Sequence, residues 1–436
     1  MNVQKNNNTS GLVGKRLMIL GGNPETGTLV DSANELGIIT IVVDPNLNSP
    51  AKKNAKIHYE VDGFDIKGLI QVAKKEHIDG VLVGVADILV PSYVKICNAL
   101  EFPCYATEKI IESLTRKDGF SHTLSQYGIN GISTYELDSS LAAKDLEKIE
   151  YPVLIKPVDN GGGVGMTICN NEDELVAGVK FAVENSRKQI FLTEKYMTCD
   201  DIFAYYTFKD GEIFLSAIAD RITTKNQGNL SPVCIAAIYP SKHTENYYKT
   251  IHPKMIEMFK GLGIKNGVLN IQFFVENDKF YAYDPGFRLQ GEAPHVIVNA
   301  INKFDHRIML INFALIGSMG VDDIPQRNDF RLKGKCACTL WVLLKSGKIS
   351  SINGIEKIKT DLSVIHVMQR FNEGDELLPS MVGNEKQVVF RIYIVENSLQ
   401  QLRKKISQIQ SNISVYDKLG NNMIVELFDP KFLYHY

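Results

Sequence analysis

The stretch Tyr151-Pro-Val-Leu-Ile-Lys156-Pro-Val-Asp-Asn-Gly161-Gly162-Gly163-Val-Gly165-Met166 carries an apolar strand to a lysine and then into a loop with almost no side chains. Successive backbone N–H groups in such a loop form an anion-binding nest, and glycine permits close approach and unusual dihedrals. An ammonium group on the adjoining strand offsets phosphate charge. A flexible hairpin turn is the competing reading. A tight turn between two β-rich runs needs only about two to five residues, and this loop is longer, which favours phosphate binding. No Lys-Ser or Lys-Thr pair follows the glycines, so the loop is not a P-loop.

Upstream, the chain reads as a strand over 16–20, then Gly21-Gly22, a helix over 28–36 and a β-branched strand over 38–43 that ends in Asp44. A helix over 69–75 and a buried strand over 80–85, followed by Asp87, continue the alternation. This predicts a parallel sheet with helices on both faces. The loop from Gly21 to Thr26 lacks GxGxxG spacing and is poor evidence for a dinucleotide. Its alternative role, a crevice at the carboxyl ends of the strands that holds part of a substrate, is favoured. Helical signals over 107–126 end at Gly128.

Downstream of 128 the pattern changes to α+β. Strands are expected over 153–156, 166–169, 190–193, 202–208 and 213–219, with a helix over 173–183 capped by Asn171. A hairpin over 271–284 and one apolar helix over 298–316 follow. From about 333, strands over 336–344 and 388–395 and a helix over 398–409 read as a small closing domain.

The hairpin holds the second chemical signal. Asn277-Asp278 makes a turn, and folding back there sets Gln272 opposite Asp284, two oxygen ligands facing one space. Hard cations take such ligands, with waters and substrate phosphates completing the shell. Arg288, just beyond, is placed to clamp a phosphate or carboxylate. Read alone, Asp284 serves equally well as a turn residue. The run Phe191-Leu-Thr-Glu194-Lys195-Tyr196-Met197 is an apolar strand ending in a Glu-Lys pair, which by itself implies only a surface ion pair.

Bulk properties narrow the classes. With 436 residues, 44% hydrophobic, the chain exceeds one ordinary domain, and two or three are expected. Its 48 basic and 50 acidic residues leave a net charge of −2, which excludes a global field for nucleic acid or an anionic membrane. The first 14 residues read as a loose polar tail without a signal-peptide core, and no apolar run reaches the roughly 20 residues that span a bilayer. Seven scattered cysteines fit a reducing cytosol better than a disulfide scaffold. The Cys336-x-Cys338 pair lacks zinc spacing and reads as structural.

Taken together and in this order, the three segments resemble the ATP-grasp superfamily, in the branch with biotin carboxylase, carbamoyl-phosphate synthase large subunit and amino-acid ligases. The resemblance covers roughly residues 15–320. It implies that Lys117, Lys156, Gly161, Gly162, Gly163 and Met166 hold the ATP phosphates, and that Glu194, Lys195, Tyr196 and Met197 hold the adenine edge. Asp201 meets the ribose, Phe274 joins the nucleotide-binding set, and Gln272 and Asp284 hold Mg2+ or Mn2+. Arg288, with Lys156, acts in catalysis. Where relatives usually carry Glu, this chain has Gln272; where they carry Glu-x-Asn-x-Arg, it has Asp284-Pro-Gly286-Phe-Arg288. Loss of a carboxylate weakens cation binding without abolishing it.

The implied architecture is α/β and α+β: a tail over 1–14, a Rossmann-like pre-ATP-grasp domain over 15–115, an ATP-grasp domain over 116–325 with its lid at about 151–225, and a C-terminal α+β domain over 326–436. The implied activity is ATP-dependent ligation of a carboxylate, from an amino acid or sugar acid, to an amine or thiol through an acyl phosphate. Arg221, Lys225, Arg288 and His295 are candidates for anionic substrate groups, although each judged singly reads as a surface charge. A non-catalytic ATP-binding regulator and a bicarbonate-using carboxylase remain the competing classes. The expected partners are small carboxylates and amines, with neither nucleic acid nor membrane. Relatives of this kind often form homodimers. The expected location is the cytoplasm.

Overall fold

A computed structural model describes residues 11–115, 117–138, 141–158, 164–225 and 232–436. The loop glycines Gly161, Gly162 and Gly163 and most of the N-terminal tail lie outside the described residues.

The N-terminal strands form a four-stranded parallel sheet in the order Ile57–Tyr59, Ile39–Val43, Arg16–Leu20, Gly80–Val83. Apart from Arg16 the two central strands are apolar or β-branched and almost wholly buried, as strands covered on both faces must be. Chain order reverses beside Arg16–Leu20, which opens a crevice at the carboxyl ends of that strand and Gly80–Val83. Gly22 lines it at close quarters: a Cβ there would lie 2.3 Å from Ser49 Oγ and 2.7 Å from Asp44 Cγ.

The dominant element is a nine-stranded sheet. Its order is Val364–Gln369, Val388–Glu396, Cys336–Leu343, Cys234–Tyr239, Glu212–Thr223, Asp200–Lys209, Gly267–Glu276, Lys279–Gly286 and Asn130–Gly131. All neighbours are antiparallel except the last pair. A second, four-stranded sheet, ordered Thr134–Tyr135, Phe191–Lys195, Val153–Pro157 and Thr167–Cys169, carries the helix Glu172–Glu184 on its own small core of Ile149, Val153, Ile155, Leu175 and Val179. Asn171 caps that helix by accepting from the Glu174 N–H, as its sequence signals.

Two expectations are corrected. The lid does not run to 225: the strands Asp200–Lys209 and Glu212–Thr223 sit inside the large sheet, with residues 202–208 buried without a break, and only residues around 134–195 form the separate sheet. The strands after 326 extend the large sheet and share one core with the N-terminal unit. The single apolar helix is two, Pro294–Asn302 and His306–Ile316, broken where Lys303 takes a left-handed φ of 65° and Asp305 caps the second by accepting from the Arg307 N–H. The strand Cys234–Tyr239 escapes the sequence reading because it is short and apolar throughout, without alternation.

Candidate active site

The hairpin pairs as its turn dictates, with Gln272 directly opposite Asp284. A bulge just after Gln272 adds Tyr283 to the same region, and its ring stacks on Phe274 at 4.4 Å and 13°. On the next strands Asp201 lies opposite Phe274 and Arg221 opposite Asp201. Register therefore gathers these side chains before any tertiary contact is considered.

Arg221 is the hub. Its guanidinium pairs with Asp201 and with Glu292 at 2.9 Å, and donates to Gln272 Oε1 at 3.2 Å and to Tyr283 Oη at 3.1 Å. Tyr283 in turn donates to Asp201 Oδ1 at 2.9 Å. Burial pushes the Asp201 carboxyl up to about 6, although Arg221 and Tyr283 pull it down. The Asp201 side chain, expected at the ribose, is thus occupied within the protein, and Arg221 is a buried network cation rather than a surface charge. Gln272 fits a metal shell poorly as a free ligand, because its oxygen already accepts from Arg221. Asp284 fits better: its residue is exposed, and its charge acts on both Tyr283 and Arg288. Among the described residues no group of three or more His, Cys, Asp and Glu is arranged to hold a metal. A cation here would lean on Asp284 and on phosphate oxygens.

Beyond the hairpin, Arg288 reaches across to Asp87, just past the strand Gly80–Val83, and the two side chains form an ion pair in the N-terminal crevice. Gly286 makes room: a Cβ there would sit 3.1 Å from Asp87 Oδ1 and 3.2 Å from Arg288 Cζ. Alongside, the buried Glu25 of the helix Pro24–Glu35 is gripped by Arg370 and by Arg391, the latter at 2.6 Å. Burial opposes ionisation of Glu25, yet the two guanidiniums hold its carboxyl below the usual range. Arg391 also donates to Gly291 O, and Tyr393 to Glu292 O at 3.3 Å. Asp87, Glu25, Tyr283, Glu292, Arg370 and Arg391 are absent from the sequence-derived set. A lone arginine inside the apolar strand Val388–Glu396 was the available signal for Arg391.

His295 is 2% exposed, and burial drives its imidazole far below the ordinary range, so it offers no cation to a substrate. Lys225 is exposed, and its backbone N–H donates to Glu426 Oε2 at 3.2 Å.

In the lid sheet, Lys156 and Glu194 stand on adjacent strands and form a largely buried ion pair. Lys195 is exposed, Met197 is buried, Met166 is half-buried before Thr167–Cys169, and the Tyr196 N–H donates to Pro152 O at 3.0 Å. Lys117 opens the helix Lys117–Gln126, and its side chain lies outside the described residues. The lid touches the N-terminal unit where the Arg187 guanidinium lies 4.7 Å over the Phe64 ring.

The small sheet thus bears a strand lysine, and the large antiparallel sheet bears the carboxylate hairpin. Residues 117–296 match the family model described as carbamoyl-phosphate synthase L chain, ATP binding domain. The carbamoyl phosphate synthase large chain of Clostridium botulinum is 25% identical over 281 residues, covering 61% of this chain and 25% of its own. This chain therefore spans about a quarter of the length of such curated relatives. Among solved structures, an L-amino acid ligase from Bacillus licheniformis superposes with a TM-score of 0.76 at 18% identity, covering 93% of this chain and 99% of that one. The biotin carboxylase domain dimer of Hydrogenobacter thermophilus 2-oxoglutarate carboxylase, in complex with MgADP, ADP and bicarbonate, superposes with a TM-score of 0.70 at 16% identity, covering 95% and 91%. Over residues 117–296 the chain is similar to this ATP-binding domain, and over most of its length it shares the fold of these two solved structures. No described helix is long and apolar enough to cross a membrane.

Proposed function

We propose that this protein is an ATP- and Mg2+-dependent ligase that joins a small carboxylic acid, an amino acid or sugar acid, to an amine. The observation that carries this reading is the position of Arg288. It follows the Asp284 hairpin, feels the Asp284 charge, and meets Asp87 in the crevice of the N-terminal sheet. One guanidinium thus spans the phosphate side and the acid side.

In the proposed reaction a carboxylate oxygen of the acid attacks the γ-phosphorus, the bond from that phosphorus to the β–γ bridging oxygen breaks, and ADP leaves. An amine then attacks the acyl carbon, the C–O bond to phosphate breaks, and the amine gives up a proton. Such transfer needs positioning and charge neutralisation more than a nucleophilic side chain. Lys156, Lys117 and the glycine loop take the phosphates, residues 194–197 the adenine edge, and Phe274 the nucleotide's apolar side. Asp284 holds the cation, which when bound neutralises phosphate charge and orients the γ-phosphoryl group. Arg288 steadies the transferring group. The MgADP bound by the biotin carboxylase domain and the amino-acid ligase of like fold support the cofactor and the reaction class.

The test is ADP release by purified protein with ATP and Mg2+, against pools of amino acids, sugar acids and amines. Acid-dependent ADP is expected. Gln272, whose amide replaces a carboxylate, is the observation that favours a nucleotide binder without turnover, and tight ATP binding with no ADP from any pool or from bicarbonate would establish that second reading.

A further inference from the structure

Six buried polar atoms around the crevice have no hydrogen-bond partner among the described residues: Asp87 Oδ1, Arg288 Nε, Gln290 Oε1, Glu292 Oε2, Arg370 Nε and Arg391 Nε. Such atoms are costly to bury, and here they converge from four separate segments of chain. Each cation beside them already has a carboxylate. Glu25 and Glu385 face Arg370 and Arg391, Asp201 and Glu292 flank Arg221, and Asp87 faces Arg288. A phosphorylated or doubly anionic acid would need a cation that none of these pairs leaves over. A ligand carrying one charge of each sign fits without imbalance, because it exchanges one ion pair for two.

Building on the ligase reading, we infer that the crevice takes an α-amino acid, with its carboxylate on Arg288 and its ammonium on Asp87. The Asp87–Arg288 contact reproduces the juxtaposition of opposite charges that a zwitterion presents, and Gly286 keeps the floor between them open to close approach. Asp87 is then a specificity residue, selecting the amino group, while Arg288 holds the carboxylate at the edge facing Asp284. The Glu25–Arg370–Arg391 cluster forms the neighbouring wall. Sugar acids and simple fatty acids carry no cation for Asp87 and leave its carboxylate facing a neutral group.

The experiment uses the full chain with the non-hydrolysable nucleotide AMP-PNP and Mg2+. Binding of the twenty α-amino acids, their des-amino counterparts such as propionate for alanine, and gluconate and galacturonate is followed by calorimetry, with ADP release measured in parallel with ATP. At least one α-amino acid should bind about 10- to 100-fold more tightly than its des-amino counterpart, the range for a lost charge-assisted hydrogen bond. Asp87→Asn should erase that difference while AMP-PNP affinity is retained. Binding of the amino acid without ADP release would uphold the crevice assignment and sink the ligase reading. ADP release driven by sugar acids or des-amino acids as well as by amino acids would overturn the assignment and leave the ligase reading standing. No binding or turnover by any acid, with AMP-PNP bound, would overturn both. Because the comparison among ligands uses the unaltered protein, it stands even where Asp87→Asn fails to fold.

Discussion

Arg221 donates to Gln272 Oε1 at 3.2 Å, so the amide opposite Asp284 faces a guanidinium instead of open space. Gln272 is therefore matched to a cation that the protein itself supplies. Removing one partner from a buried ion pair leaves an uncompensated charge and costs about 3–5 kcal/mol. Arg221→Ala, which strands Asp201 and Glu292, should lose a comparable amount in urea unfolding. A loss under about 1 kcal/mol, the range of exposed pairs, would show that the network is solvated.

Lys156 and Glu194 form a pair in which each partner has a separate proposed task at the nucleotide. Lys156→Ala alone strands a buried carboxylate, whereas Lys156→Ala with Glu194→Gln removes both charges. The double variant should melt near the wild-type temperature yet bind ATP about 10- to 100-fold more weakly, as expected for a lost charge-assisted hydrogen bond. Unchanged ATP affinity in calorimetry would remove Lys156 from the phosphate site.

Gly286 lies against both members of the Asp87–Arg288 pair, and a methyl group there forces them to shift by a few tenths of an ångström. Gly286→Ala should reduce kcat/KM by at least about tenfold, since small misplacements of reacting groups are expensive, with a stability change within about 1 kcal/mol. Full activity would show that Arg288 does not need its present seat.

The pH dependence of stability has a defined sign. Burial lowers His252 to about 4 and His306 to about 3, against about 6.5 in an unfolded chain. As pH falls below about 6.5 the unfolded chain takes up protons that the folded one refuses, so stability drops. Burial raises Asp201 to about 6, so its contribution runs oppositely, with stability lost as pH rises from about 4 through 6, and offsets one histidine. The free energy of unfolding should thus decline from pH 6.5 to 4.5. His306→Gln, whose position 2.6 Å from Thr207 Oγ1 a neutral side chain can share, should flatten that slope by about 1 kcal/mol per pH unit. An unchanged slope would place the titration elsewhere.

Local patterns made much of this legible. The strand Arg16–Leu20, the Asn171 cap and the pairing of Gln272 with Asp284 follow from a short apolar run, capping chemistry and a turn, all encoded within a few residues. What could not be read depends on long-range pairing. Asp87 and Arg288 are 201 residues apart, and Glu25 and Arg391 are 366 apart; nothing local to either partner announces the other. The lid boundary failed for the same reason: the strands Asp200–Lys209 and Glu212–Thr223 look alike whichever sheet they join, and only their pairing with Gly267–Glu276 and Cys234–Tyr239 decides it.

The central claim is that an acid is activated as an acyl phosphate, and hydroxylamine traps such a species directly. Purified protein with ATP, Mg2+, hydroxylamine and the acid that stimulates ADP release should yield an acyl hydroxamate in amounts matching the ADP formed, with none when ATP is replaced by AMP-PNP. ADP formed with that acid but without hydroxamate would contradict carboxylate activation and assign the protein a different use of its bound nucleotide.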